Sequence, residues 1–197
     1  MDSKINSLLF ITSNNNKIVE IQTKVGTQFA LKSLADIGFS DEIPEPYETI
    51  KENAVAKAKF IHDRFHINCF AEDSGLVVEA LNGEPGVYSA RYAGEEKNDA
   101  ANIQKVLQKL NDNQNRKAYF ITVIALILNN QLHTFEGRVY GNITAEPIGN
   151  SGFGYDPIFQ PNGYTETFAQ LGLPVKNKIS HRAKATELMI EFLKTQA

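Results

Sequence analysis

The chain has no tryptophan and a single cysteine, Cys69, among its 197 residues. One cysteine excludes an internal disulfide framework. Cys69 lies in the apolar stretch Ile67-Asn68-Cys69-Phe70-Ala71, where it reads as a small buried residue of a reducing compartment rather than a nucleophile. Long hydrophobic runs are also missing: the polar Met1–Ser7 leads straight into Leu8–Ile11, too short for a signal segment or a membrane span. The chain is therefore expected to be cytoplasmic, with no membrane partner. Positive charge is not in excess either. A formal net charge of -3 lacks the broad field needed to grip nucleic acid through many phosphates, so nucleic acid is not expected as a partner. A phosphate-bearing ligand would need local lysines or a bridging metal.

What is present suffices for a core. With 42% hydrophobic and 22% charged residues and no low-complexity run, the chain can offset its ordering entropy. Its length fits one domain spanning 1–197, a single large domain or a two-lobed unit, better than several independent domains. Leu8–Thr12 reads as a buried strand, followed by the polar turn Ser13-Asn14-Asn15-Asn16 and a helix from Lys17 with Ile18, Ile21 and Val25 on one face. Thr49 and Glu52 have capping-box spacing ahead of a helix near 50–65 that carries Ile50, Ala54, Ala58, Ile61 and Phe65. Ile67–Ala71 and Leu76–Leu81 read as two strands separated by Glu72-Asp73-Ser74-Gly75 and closed by Asn82-Gly83, which puts the acidic pair at a strand end. Ile103, Val106, Leu107 and Leu110 mark another helix, and Ala118–Leu128 with Gln131–Thr144 form two long strands turning at Asn129-Asn130. A last helix covers His181–Lys194, with Ser180 as its N-cap. Between these, Gly149–Gly163 is dense in glycine, proline and aromatics, which suits an ordered binding loop. The architecture expected is α/β with a mixed sheet and no internal repeat.

Five groups of residues carry chemistry. Thr12-Ser13-Asn14-Asn15-Asn16-Lys17 follows a buried strand, where backbone N–H groups and a helix N-terminus can receive phosphate oxygens and Lys17 supplies charge; by itself the segment is more commonly a solvated turn, and it lacks Walker spacing. Glu45, Glu72 and Asp73 are hard oxygen donors of the kind magnesium takes, with a solvated loop acid and an Asx turn as the alternative. Asn53 and Lys57, four apart, share a helix face distinct from the Ile50, Ala54, Ala58 stripe, a pattern that solvent alone also explains. Ser151-Gly152-Phe153-Gly154-Tyr155-Asp156-Pro157 offers close backbone approach, an aromatic face for a base and a carboxylate, or else a core plug at a tight turn. Lys176, His181 and Arg182 cluster near a helix start. Cations there oppose the dipole, which favours an acceptor-rich ligand or exposure to water.

Taken together, these segments resemble the inosine triphosphate pyrophosphatase family, also called XTP/dITP diphosphatases. The strings Glu52-Asn53-Ala54, Glu72-Asp73-Ser74-Gly75-Leu76, Glu84-Pro85-Gly86-Val87-Tyr88-Ser89-Ala90-Arg91-Tyr92, Gly152-Phe153-Gly154-Tyr155-Asp156-Pro157-Ile158-Phe159 and Ile179-Ser180-His181-Arg182 occur in the family's order. The family's phosphate motif is Thr-Gly-Asn-x-x-Lys; Thr12, Asn14 and Lys17 match it, while Ser13 replaces glycine and Asn16 a frequent glycine. The resemblance implies an elongated two-lobed α/β unit with a long mixed sheet, an active site in the cleft between lobes, a homodimer and a Mg2+ cofactor. It makes Asp73 the proton acceptor and a metal ligand, Glu45 the second metal ligand, and Lys57 and Ser74 substrate contacts. Thr12 to Lys17 hold phosphates, and Phe153, Gly154, Tyr155, Asp156, Lys176, His181 and Arg182 take the base. Glu72 stands where many members have aspartate. The activity implied is hydrolysis of ITP, dITP and XTP to monophosphate and pyrophosphate. The rivals are a catalytically silent purine-nucleotide sensor, and a Maf-type pyrophosphatase, whose Ser-Pro-Arg-Arg loop this chain lacks.

Overall fold

The computed structural model describes residues 7–25 and 30–196, so all of the polar leader except Ser7 lies outside the described residues. The regular elements are β1 (Ser7–Ile11), α1 (Asn15–Val25), β2 (Ala30–Lys32), α2 (Ile50–Phe65), β3 (Cys69–Val78), α3 (Asp99–Leu110), β4 (Lys117–Leu128), β5 (Gln131–Ile143), β6 (Phe159–Pro161), α4 (Phe168–Ile179) and α5 (His181–Thr195). The strands form one six-stranded sheet in the order β2-β1-β3-β4-β5-β6. It is mixed, since β1 runs parallel to β2 and β3 while β5 and β6 are antiparallel. This is the α/β architecture the sequence implies.

Local chemistry accounts for most boundaries. Thr49 Oγ1 accepts from the Glu52 N–H at 3.1 Å and donates to Glu52 Oε2 at 2.7 Å, which starts α2; His66, at φ 53°, ends it. Asn129 and Asn130 both adopt positive φ, 51° and 64°, the requirement of the two-residue turn that joins β4 to β5. β4 is buried almost throughout and reads as a continuous apolar run, whereas the later part of β5 alternates between buried and exposed positions.

Two sequence readings are corrected. The strands expected at 67–71 and 76–81 are one continuous strand, β3, that runs through Glu72, Asp73, Ser74 and Gly75, while Glu79–Leu81 is a 3₁₀ turn. The acidic pair therefore lies in mid-strand, because buried partners for its charges remove the reason for a solvated break. The second correction is α4, which the sequence reading leaves without an element. Thr167 and Gln170 cap it reciprocally, but Gly172 at φ 70°, ψ 175° and Pro174 interrupt it, so its helical signal is broken.

The chain divides into two compact units. Unit 1 comprises 1–73, 122–137 and 182–197. Its core joins Leu8 and Phe10 of β1, Ile21 and Val25 of α1, Phe70 of β3, Ile124 and Leu126 of β4, and Ala185, Met189 and Leu193 of α5. Phe10 and Phe70 stack there with ring centroids 4.6 Å apart. Unit 2 comprises 74–121 and 138–181, with its own core of Leu76, Val78, Ile103, Val106, Leu110, Phe120, Ile158, Phe159 and Phe168.

Gly75 shows how tightly unit 2 packs beside the acidic segment. A Cβ at this position would lie 2.2 Å from the Gly86 carbonyl oxygen and 2.9 Å from Ser89 Oγ. Ser89 Oγ is itself committed, accepting from the Leu76 N–H at 2.9 Å and donating to Gly86 O at 2.6 Å. Gly75→Ala is expected to destabilise the protein by about 1–3 kcal/mol through overpacking, measured as a lower denaturant midpoint at unchanged slope. An unchanged midpoint would show that the 86–89 segment yields without cost.

Candidate active site

In unit 1 the turn after β1 is organised by Asn14. Its Oδ1 accepts from the N–H groups of Asn16 at 3.0 Å and Lys17 at 3.3 Å, and Thr12 Oγ1 accepts from Asn14 N–H at 3.1 Å. Asn14 thus caps α1. Neither Ser13 nor Asn16 has positive φ, so the turn does not require the glycines the family places there. Ser13, Asn15 and Asn16 are exposed, and Lys17 reaches inward to Glu72 Oε1 at 3.1 Å.

The continuity of β3 assigns its two acids to different partners, since neighbouring side chains on a strand project to opposite faces. Glu72 meets Arg182, whose Nε donates to Oε1 at 3.0 Å and to Oε2 at 2.8 Å; Nη1 of the same guanidinium donates to Glu20. Glu72, Arg182 and Glu20 are all buried. Burial opposes the charge on Glu72, but the Arg182 and Lys17 cations outweigh it and hold the carboxyl at about 2. For Arg182 burial likewise opposes the charge, and Glu72 and Glu20 more than compensate, raising its pKa.

Asp73 meets Lys57. The Lys57 ammonium lies 2.6 Å from Glu45 Oε1 and 3.5 Å from Asp73 Oδ1. Burial works against this charge, yet Asp73, Glu45 and Glu72 raise the Lys57 pKa above its ordinary value. Asn53, one turn earlier on α2, holds the Glu45 loop in place: its Oδ1 accepts from Tyr47 N–H and its Nδ2 donates to Tyr47 O, both at 2.9 Å. Ile50, Asn53, Ala54, Lys57, Ala58 and Ile61 are all buried. Asn53 and Lys57 are thus part of the buried side of α2, not a separate solvated face.

In unit 2 the 151–157 segment folds around Asp156, whose Oδ2 accepts from Phe153 N–H at 3.0 Å and from Lys176 Nζ at 2.5 Å. Gly152 is obligatory here: it sits at φ 83°, and a Cβ would lie 2.1 Å from Asp156 Oδ2. The Lys176 ammonium also stands 4.3 Å from the centre of the Phe153 ring. Gly154 N–H donates to Asp99 Oδ2 at 2.7 Å, and Tyr155, which is buried, donates its hydroxyl to Ser89 O at 2.8 Å. Ser74 is half-buried on β3. His181 stacks on Phe120 with centroids 4.7 Å apart, and Ser180, buried between α4 and α5, donates its N–H to Lys176 O.

The structure therefore gathers Lys17, Glu72 and Arg182 into one cluster of unit 1, Glu45, Lys57 and Asp73 into another, and Phe153, Asp156 and Lys176 into a cluster of unit 2. The bonds of Nε and Nη1 set Arg182 among carboxylates. Sequence reasoning missed Glu20 and Asp99. Glu20 had a signal, an acid directly beside Ile21 on the buried face of α1. Asp99 had none, because its partner Gly154 is distant in sequence.

Three kinds of similarity bear on this geometry. The sequence pattern of the Ham1 family matches residues 8–192. A dITP/XTP pyrophosphatase of Flavobacterium psychrophilum is 52% identical over 187 residues, 95% of this chain and 98% of that protein. One of Bacillus subtilis is 43% identical over 189 residues, covering 94% and 96%. The solved Ham1 protein of Staphylococcus aureus superposes with a TM-score of 0.90 at 37% identity, covering 98% of this chain and all of that one.

The Glu72 cluster predicts an acid limb of stability. With its folded pKa near 2 against an ordinary 4.5, the ionised carboxylate stabilises the fold fully above about pH 4.5. That contribution is lost as pH falls from 4.5 towards 2, where the unfolded chain takes up the proton first. Thermal melts across this window should show a steep fall for the wild type and a shallower one for Glu72→Gln. Parallel slopes would mean that Glu72 does not carry the acid sensitivity.

Proposed function

We propose, for a chain that belongs to the Ham1 family, that it hydrolyses the non-standard purine nucleoside triphosphates ITP, dITP and XTP to the monophosphate and pyrophosphate. The observation that carries the reading is the meeting of Glu45 and Asp73 at one cation, the Lys57 ammonium. Two carboxylates facing a shared cation fit a magnesium ion, which usually takes one or two protein carboxylates and completes its octahedron with water and substrate phosphates. Among the described residues, no group of three or more His, Cys, Asp or Glu gathers to hold a metal, and a magnesium site of this kind does not call for one. When bound by Glu45 and Asp73, magnesium supplies charge neutralisation on the phosphates and acidifies bound water.

Phosphoanhydride hydrolysis rests on positioning and charge more than covalent chemistry, so no nucleophilic side chain is needed. Asp73 accepts the proton of the attacking water. Lys17 and Lys57 carry positive charge to the phosphates, while Thr12 to Asn16 supply hydroxyl, amide and backbone N–H donors. Glu72 serves Arg182 and Lys17 as counter-charge. Phe153 offers the stacking face for the base, and Lys176, held by Asp156 over that ring, is the donor for a 6-oxo group. Gly154, Tyr155 and His181 follow the family resemblance as further base contacts, while Arg182 is set among Glu72 and Glu20. A 6-oxo purine presents an acceptor where adenine presents a donor. A buried donor left unpaired by adenine costs about 1–3 kcal/mol, which is the basis of rejection.

Turnover separates this enzyme from a silent sensor of the same nucleotides. Ser74 and the remaining contacts and a homodimeric state follow the family resemblance, and a cytoplasmic location follows the lack of a long hydrophobic run. No described helix is long and apolar enough to cross a membrane.

With magnesium present, ITP, dITP and XTP should each give monophosphate and pyrophosphate in equal amounts, and release of orthophosphate instead would contradict the reading. Asp73→Asn keeps the side-chain shape but loses the proton acceptor and a metal charge. It should lower turnover by ~10²–10⁴ while melting temperature and ITP binding persist. Turnover within about threefold of wild type, less than the tenfold that ~1.4 kcal/mol represents, would remove Asp73 from the chemistry.

A further inference from the structure

The segment that presents Phe153 has an unusual problem of conformational freedom. Phe153 stands between Gly152 at φ 83° and Gly154 at φ 60°, two residues that lose much backbone entropy on ordering. A ring that is to hold a base must nevertheless keep one orientation. Two successive N–H groups solve this by each finding a carboxylate oxygen. Phe153 N–H goes to Asp156 Oδ2 at 3.0 Å, inside the segment, and Gly154 N–H goes to Asp99 Oδ2 at 2.7 Å, outside it.

Asp99 is well suited to anchor the segment because its own helix is fixed. It opens α3, where Asn98 already caps the first turn by accepting from Ala101 N–H at 3.0 Å. Ile103, Val106 and Leu110 bury α3 in the unit 2 core. Asn102 ties the same turn to the preceding loop, accepting from Ala93 N–H at 2.7 Å and donating to Ala90 O at 3.0 Å. The helix N-terminus thus has its cap without Asp99, whose carboxylate is turned to the 151–157 segment.

We propose that Asp99 is a positioning residue for base recognition: through Gly154 N–H it fixes the 153–154 peptide plane and hence the direction in which Phe153 presents its ring. The proposal rests on the reading that Phe153 stacks on the base. Asp99 acts through Gly154 N–H. Its contribution is preorganisation, so its loss weakens substrate capture without slowing the chemical step.

The test is steady-state kinetics on ITP with magnesium for the wild type, Asp99→Ala, Asp99→Asn and Phe153→Ala, with melting temperatures alongside. Asp99→Ala should raise KM about tenfold and leave kcat within about twofold, the scale of one charge-assisted hydrogen bond lost from a preorganised segment. Asp99→Asn keeps an acceptor oxygen and should return KM to within about threefold of wild type. If Asp99 served only as negative charge at the start of α3, Ala and Asn would lower the melting temperature alike and leave KM alone, which overturns the proposal. A fall in kcat at constant KM overturns it as well. Phe153→Ala separates the two layers: a raised KM there with an unmoved KM in Asp99→Ala defeats the Asp99 proposal alone, while an unmoved KM in Phe153→Ala defeats the stacking reading and the proposal with it.

Discussion

Unit 1 depends on a buried guanidinium, that of Arg182, held between Glu72 and Glu20 with Lys17 at the edge of the cluster. Burying charge is expensive, and removing one partner of such a set leaves an uncompensated ion that typically costs about 3–5 kcal/mol. The cluster is therefore more a constraint than a source of net stability. It requires α1, β3 and α5 to meet in one register, because Lys17 and Glu20 come from α1, Glu72 from β3 and Arg182 from α5. With Glu72 fixed on one face of β3, strand alternation sends Asp73 to the other, where Lys57 and Glu45 meet it. One acid is thereby committed to the Arg182 cluster and its neighbour to Lys57.

The same economy appears in unit 2. Asp156 is buried and carries two bonds through one oxygen, to Phe153 N–H and to the Lys176 ammonium. It orients a ring and a donor together, so the aromatic face and the cation over it come as a pair. Glycine makes this arrangement possible, since a Cβ on Gly152 at φ 83° would meet Asp156 Oδ2.

Much of this was legible in the sequence, where short-range physics governs. The Thr49 cap, the Asn129-Asn130 turn, the apolar stripe of α2 and the Gly152 to Pro157 segment all declare themselves within a few residues. The family resemblance added roles that spacing alone left open. What stayed hidden was set by long-range pairing. A run of Glu72-Asp73-Ser74-Gly75 reads as a polar break until Arg182, 110 residues away, neutralises Glu72 and lets the strand continue. α4 is masked by Gly172 and Pro174 inside it, and the partner of Glu20 lies on α5, 162 residues away. Arg182, read from its place at a helix start, offers no hint that carboxylates from two other elements take its donors.

On the proposed function, the purine is selected by what stands at its 6-position, an acceptor in an oxo group and a donor in an amine. Each mismatched buried contact is worth about 1–3 kcal/mol. The most direct measurement is the ratio of kcat/KM for ITP to that for ATP, taken on one preparation at one magnesium concentration. The account predicts that ITP is favoured by roughly a hundredfold or more. A ratio within about threefold of one, under 1 kcal/mol of discrimination, would contradict it.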